Sequence, residues 1–171
     1  MLLITAPVRL LVYRKFLVHL FFREGIKHHR GRASSAVWVV GIVDPSTTPA
    51  KGYLQIVKKR DASTLLPIIG RVVRQGSTVC SDQWKAYYNI QRDLGLQHLT
   101  VNHSLHFVDP ITGVHTQHIE SYWNTKKTYI KAMKGCRRTH LEGYLNEFMW
   151  RDRFNDNAFY NLFSHIGMQY T

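Results

Sequence analysis

The sequence predicts a single α/β domain, a mixed sheet covered by helices. Two observations carry this expectation. Apolar, β-branched runs alternate with segments of helical period, and 44% apolar and 12% aromatic residues in 171 give the chain enough apolar surface for one real core. Short turn signals rather than low-complexity linkers separate the elements, so one domain is expected.

Residues 36–43, AVWVVGIV, form a β-branched run closed by Asp44-Pro45-Ser46 and read as a buried strand. Residues 52–58 follow a Pro/Thr loop and alternate like its hairpin partner. Ser63-Thr64 can cap a helix through about Val73, because Leu65, Ile68, Ile69 and Val72 recur at spacings of three and four. Gln75-Gly76 ends it. The strand STVC follows, then a helix opening in SDQWKAYY and running to Gly95, then a short strand over 97–102. Beyond a loop with Asp109-Pro110 and Gly113, a long helix is expected from about Thr116 to Lys134, stopped by Gly135. Thr139 and Glu142 make a capping-box pattern for a last helix with Leu141, Tyr144, Leu145, Phe148 and Met149 on one face.

Charge narrows the partner. The chain holds 23 Lys and Arg against 11 Asp and Glu, a formal +12. Residues 1–35 and 126–138 each carry +6, and the rest balances. Clustered cations gain by displacing counterions from phosphate, so a polyanion is the first partner to consider against a merely solvated basic face. A disordered basic tail is excluded by the apolar content. The opening MLLITAPVRLLVYRKFLVHLFF is broken by Arg9, Arg14, Lys15 and His19, short of the ~20 apolar residues a membrane span needs. It also lacks the charged start and small-residue cleavage site of a signal peptide. Cys80 and Cys136 are too few for a disulfide framework, which fits a reducing compartment.

Most acids have ordinary roles: Asp44 and Asp109 precede proline in turns, Glu142 belongs to the cap, and Asp152 and Asp156 fall in a polar tail. Two stand apart. Asp82 directly follows an apolar strand, at the end where ligands approach α/β sheets. Glu120 lies early in the long helix, beside an apolar arc of Ile119, Tyr122, Trp123, Ile130 and Met133. Gln117, Asn124, Lys127 and Lys131 share its stripe at 100° per residue. Carboxylates that hold divalent cations, with lysines a turn or two away, suit phosphodiester chemistry; the competing reading is an ordinary surface helix pair.

The segments TLLPIIGRVVRQGSTVCSDQWKAYY, TVNHSLHFVDPITGVHTQHIESYWNTKK and YLNEFMWRDRF, in this order, resemble the ISXO2-like, IS1595-type DDE transposase domain. The resemblance runs from about His28 to Phe154 and implies a ribonuclease-H-like, integrase-type fold that cuts and joins DNA strands with Mg²⁺ or Mn²⁺. It divides the chain into a degenerate or non-ancestral segment 1–27, a catalytic-type domain 28–154 and a tail 155–171. Asp82 matches the family's second aspartate, and Glu120 the late carboxylate of the motif spanning His115 to Glu120; these two would be the metal ligands. Lys127 matches the phosphate-contacting lysine, and Gln117 replaces the usual asparagine. Lys126, Lys127, Lys131, Lys134, Arg137 and Arg138 would form a DNA-backbone stripe. His103 and His115 would orient loop backbone beside the site. The HxxH pairs 103/106 and 115/118 are weaker zinc candidates, because zinc sites show tighter Cys/His sets. Trp38, Trp84, Trp123 and Trp150 are expected in the core, with Trp84 and Tyr87 as a secondary base-stacking idea.

The resemblance also implies a first aspartate on the opening strand, where this sequence reads Val18-His19-Leu20. Neither valine nor histidine replaces a bridging anionic oxygen. The family's zinc-ribbon and helix-turn-helix region is not expected within these residues, so binding would be to DNA backbone without sequence recognition. The expected function is thus a DNA-binding remnant impaired in catalysis, inside the cell with DNA. The alternatives are an active metal-dependent transposase and a protein-interaction module. Self-association is left open, and neither a membrane nor a small-molecule substrate is expected.

Overall fold

The computed structural model describes residues 15–20 as a backbone strand, and residues 37–102, 108, 115 and 117–169. Five strands form one sheet: β1 (Lys15–Leu20), β2 (Trp38–Asp44), β3 (Lys51–Val57), β4 (Thr78–Asp82) and β5 (Gln97–Val101). Their order is β3-β2-β1-β4-β5. The first three are antiparallel neighbours, while β4 runs parallel to both β1 and β5. This is the arrangement that a ribonuclease-H-like fold requires. The antiparallel strands need only a hairpin between β2 and β3, whereas the parallel ones are joined through helices.

Among the described residues the helices are α1 (Ala62–Val72), α2 (Ile90–Leu94), α3 (Gln117–Ala132), α4 (Arg138–Phe154) and α5 (Ala158–Gly167), with a 3-10 turn at Lys85–Tyr87. Alternation along β2 allots them to two layers. Val40 and Ile42 pack with Leu65, Ile68 and Ile69 of α1, whereas Val39 and Val43 pack with α3 and α4. In β4, Val79 and Cys80 divide the same way.

Glycine sets how closely α3 approaches. A Cβ on Gly41 of β2 would sit 2.6 Å from the Trp123 ring, and one on Gly52 of β3 would overlap the Tyr122 hydroxyl. These two side chains therefore fill gaps that any larger residue would close, and both are buried. On the outer flank, α4 leans on the edge strand β3, where the Leu54 amide donates to Met149 Sδ at 3.2 Å.

Several local expectations are corrected. Asp61, not Ser63 or Thr64, caps α1: its extended backbone lets Oδ1 accept from the Thr64 amide at 2.9 Å and from both hydroxyls. The helix expected after Asp82 is broken into the 3-10 turn and α2, because Asp82 Oδ1 takes the Trp84 amide at 3.1 Å and turns the chain. Lys134 (φ 62°) and Gly135 (φ 99°) end α3 in the left-handed region, with the Gly135 amide bonded to the Ile130 carbonyl. That turn carries the chain extended into Arg137, so α4 starts at Arg138 and Thr139 is already helical; the capping box does not form. The tail contains a helix of its own, α5. Trp84 is exposed and Tyr87 fully buried, so Tyr87 has no face to offer a base.

Asp152 is the largest correction. It lies in the core, not in a polar tail, accepting from Tyr122 Oη and from Lys126 Nζ, each at 2.5 Å. The Lys126 side chain is only 13% exposed, and its ammonium also lies over the Tyr122 ring. Burial, and then the Asp152 charge, push the Tyr122 hydroxyl far above its ordinary range, so it stays a donor. The position was readable: Leu141, Leu145, Phe148 and Asp152 form one helical stripe. Removing one partner of such a pair strands a buried charge. Asp152→Ala is expected to cost about 3 kcal/mol or more in urea unfolding, and Lys126→Met with Asp152→Leu to recover most of it.

Candidate functional site

Asp82 ends β4, two residues beyond Cys80, so it faces the α3 side of the sheet. Its register partner on β5 is Val101, which shares a core cluster with Ile119 of α3. Glu120 follows Ile119 in the first turn of α3, where the helix's positive end favours a carboxylate. Asp82 and the helix that carries Glu120 thus lie on the same side of the sheet.

Backbone pairing around Asp82 is stiffened from below. Ser81 is fully buried, and its hydroxyl donates to the Asp82 carbonyl at 2.7 Å. That uses its one hydrogen, so His98 Nε2, 2.8 Å away, is the donor to Ser81 Oγ. Burial lowers the His98 pKa from its ordinary 6.5. Asp82 in turn contributes to the raised pKa of Tyr87, after burial itself. Beside the turn, the Arg60 guanidinium lies 3.8 Å from the Trp38 ring centre and 5.0 Å from that of Trp84. Sequence reading missed this stack, which joins residues 22 and 24 apart.

The remaining predicted residues divide. Gln117 is exposed at the start of α3. Lys127, seven residues beyond Glu120 and so about 10 Å along the helix, is half-buried. Burial, and then the Lys131 ammonium, lower its pKa from the ordinary lysine value. Lys131, Lys134, Arg137 and Arg138 are exposed at the far end of α3 and the start of α4. Lys126 belongs instead to the buried pair with Asp152 and does not lie in that exposed row. His115 is half-buried with its ring 5.0 Å from that of His118, and its Nδ1 has no hydrogen-bond partner among the described residues. His103, His106, Glu24, Asp109 and the basic residues of 21–35 lie outside the described residues.

A bridged two-metal centre needs a further anionic oxygen. The six residues of β1, KFLVHL, contain no acid. Val18 pairs with Ser81, which puts His19 at the register position opposite Asp82. Asp44 cannot substitute. The β1 register places it level with Phe16 and Val79, three residues or about 10 Å from the Asp82 end, and its carboxylate is engaged by the Ser46 amide at 3.0 Å. Among the described residues no three His, Cys, Asp or Glu side chains converge as a metal-holding group. Two carboxylates remain, so the described donors do not fit the two-metal arrangement.

Because His98 has a lowered pKa, the unfolded chain binds its proton first. Stability from this group is full above about pH 6.5 and falls as pH drops through the lower folded value. Thermal melts from pH 7.5 to 5 are expected to show this loss, and His98→Gln, which keeps an N–H donor for Ser81, to reduce it.

Comparison with known proteins agrees with this architecture. The ISXO2-like transposase domain model matches residues 16–153, beginning inside the segment expected to be degenerate. An uncharacterized transposase-like protein of Haemophilus influenzae is 32% identical over 107 residues, 63% of this chain and 83% of its own length. The catalytic core domain of BIV integrase superposes with a TM-score of 0.55 at 12% identity, covering 92% of this chain and 99% of that one. A chain of the simian T-cell lymphotropic virus intasome in complex with PP2A regulatory subunit B56 gamma gives 0.51 at 16%, covering 82% and 48%. The two structural likenesses establish the integrase-type, ribonuclease-H-like fold, and the family match over most of the length establishes the lineage: the chain belongs to the ISXO2-like transposase domain family.

Proposed function

We propose that this chain is a transposase-derived DNA-binding domain impaired in strand cleavage, acting with DNA inside the cell. The observation carrying the reading is the acid-free β1, KFLVHL, whose parallel register sets His19 rather than a carboxylate opposite Asp82. Affinity for DNA rests on the exposed cations Lys131, Lys134, Arg137 and Arg138, a phosphate-backbone surface with no base-reading element of its own. Gln117 and Lys127 line the approach from Glu120 to that surface, and His115 supports the loop beside it. The segment 1–27 would then be the degenerate part of the family domain.

A second reading, an active Mg²⁺- or Mn²⁺-dependent transposase, is favoured by one observation: Asp82 and the helix bearing Glu120 lie on the same side of the sheet. Duplex binding followed by fluorescence anisotropy across a salt series separates the readings when paired with a plasmid-nicking assay. The expected outcome is a log–log salt slope of about −3 to −4 from four phosphate contacts, reduced by about 2 in Lys131→Gln with Lys134→Gln. Binding should survive Asp82→Asn, with no metal-dependent nicking. Nicking with Mg²⁺ or Mn²⁺ that Asp82→Asn abolishes would instead establish the enzyme, and salt-independent or absent binding would remove the DNA reading.

A further inference from the structure

Helix α5 is amphipathic in the inverted sense: its polar flank packs inward and its apolar stripe faces solvent. Asn161 Nδ2 donates to the carbonyls of Phe154 and Asp156, and Trp150 Nε1 of α4 donates to His165 Nδ1 at 3.2 Å. The Phe154 ring lies 4.8 Å from that of His165. None of the residues of α5 is buried. At 100° per residue, Phe159, Leu162, Phe163 and Ile166 fall within one third of a turn, flanked by Tyr160 and followed by Met168. Their exposures run from 42% at Ile166 to 76% at Phe159. A contiguous apolar patch of this kind marks an interaction site.

Two features select the occupant. Residues 157–171 contain no Asp, Glu, Lys or Arg in a chain of +12, so the stripe offers no cation to a phosphate backbone and would meet its own copy without like-charge repulsion. Area gives the second. At ~150–250 Å² per aromatic side chain, the exposed parts of Phe159, Tyr160 and Phe163 amount to about 400 Å². Doubled across a two-fold axis and joined by Leu162, Ile166 and Met168, the total reaches about 1,200 Å², where specific stable interfaces begin. We propose that the α5 stripe is a self-complementary surface through which two copies of this chain pair about a two-fold axis. The interface is independent of the DNA reading, since it uses neither Asp82, Glu120 nor the cations.

Sedimentation velocity of the full chain from low to high micromolar concentration tests it. The expected result is a monomer–dimer equilibrium that Phe159→Glu with Phe163→Glu shifts wholly to monomer, with unchanged far-UV circular dichroism and unchanged DNA binding at low concentration. A wild-type chain that stays monomeric throughout overturns the proposal, whether its own N-terminal residues or a lipid surface covers the stripe. So does a dimer that survives both substitutions. Should the double variant lose its fold, amide exchange of the wild type decides: protection across 158–167 must rise with concentration, and protection that does not change overturns the pairing.

Discussion

The seating of α3 on the sheet is the constraint on which the rest of this domain depends. Trp123 and Tyr122 occupy the space left by Gly41 and Gly52, and the buried Lys126–Asp152 pair ties the same turn of α3 to α4. Each contact limits the others. If the aromatics are displaced from the glycine gaps, α3 rises off β2 and the Tyr122 hydroxyl leaves Asp152, exposing a charge pair that is stable only when complete. With the helix fixed, Ile119 is held in the core cluster that also contains Cys80 and Val101, and Glu120 follows it on the helix.

The basic block at the end of α3 is consequently not one feature. Its first lysine is spent on the interior, its second is half-buried and its last four cations reach solvent. A charge count over 126–138 treats six groups alike, but only those beyond the last buried turn can exchange counterions with a phosphate backbone. The field that remains is narrower and lies in the last turn of α3 and the start of α4.

Strand and helix positions were largely legible because each rests on a local pattern: a β-branched run for β2, an alternating hairpin partner for β3, and the arc Ile119, Tyr122, Trp123, Ile130 for α3. Only the family motif implies that Asp82 and Glu120 act together, since periodicity places each carboxylate on its own element and does not bring the elements together. What stayed hidden is long-range. The glycine gaps depend on which helix crosses them, the Arg60 stack joins side chains of three different segments, and Asp152 declares itself only when the helical stripe is extended one turn past Phe148. Caps were misplaced for a similar reason: Asp61 and Arg137 are set by the path of the preceding chain, which a hydroxyl-containing motif does not encode.

The acid-free central strand has a consequence for how such a domain persists. Three carboxylates gathered at one sheet end repel one another unless cations hold them, so a catalytic triad of this kind is a standing cost to folding. A strand reading KFLVHL carries none of that cost, and no pressure from stability would return an acid to it. On the proposed reading, an acid-free strand is in that sense a ratchet: selection for a stable, DNA-bound fold would preserve the scaffold while leaving the chemistry unrepaired.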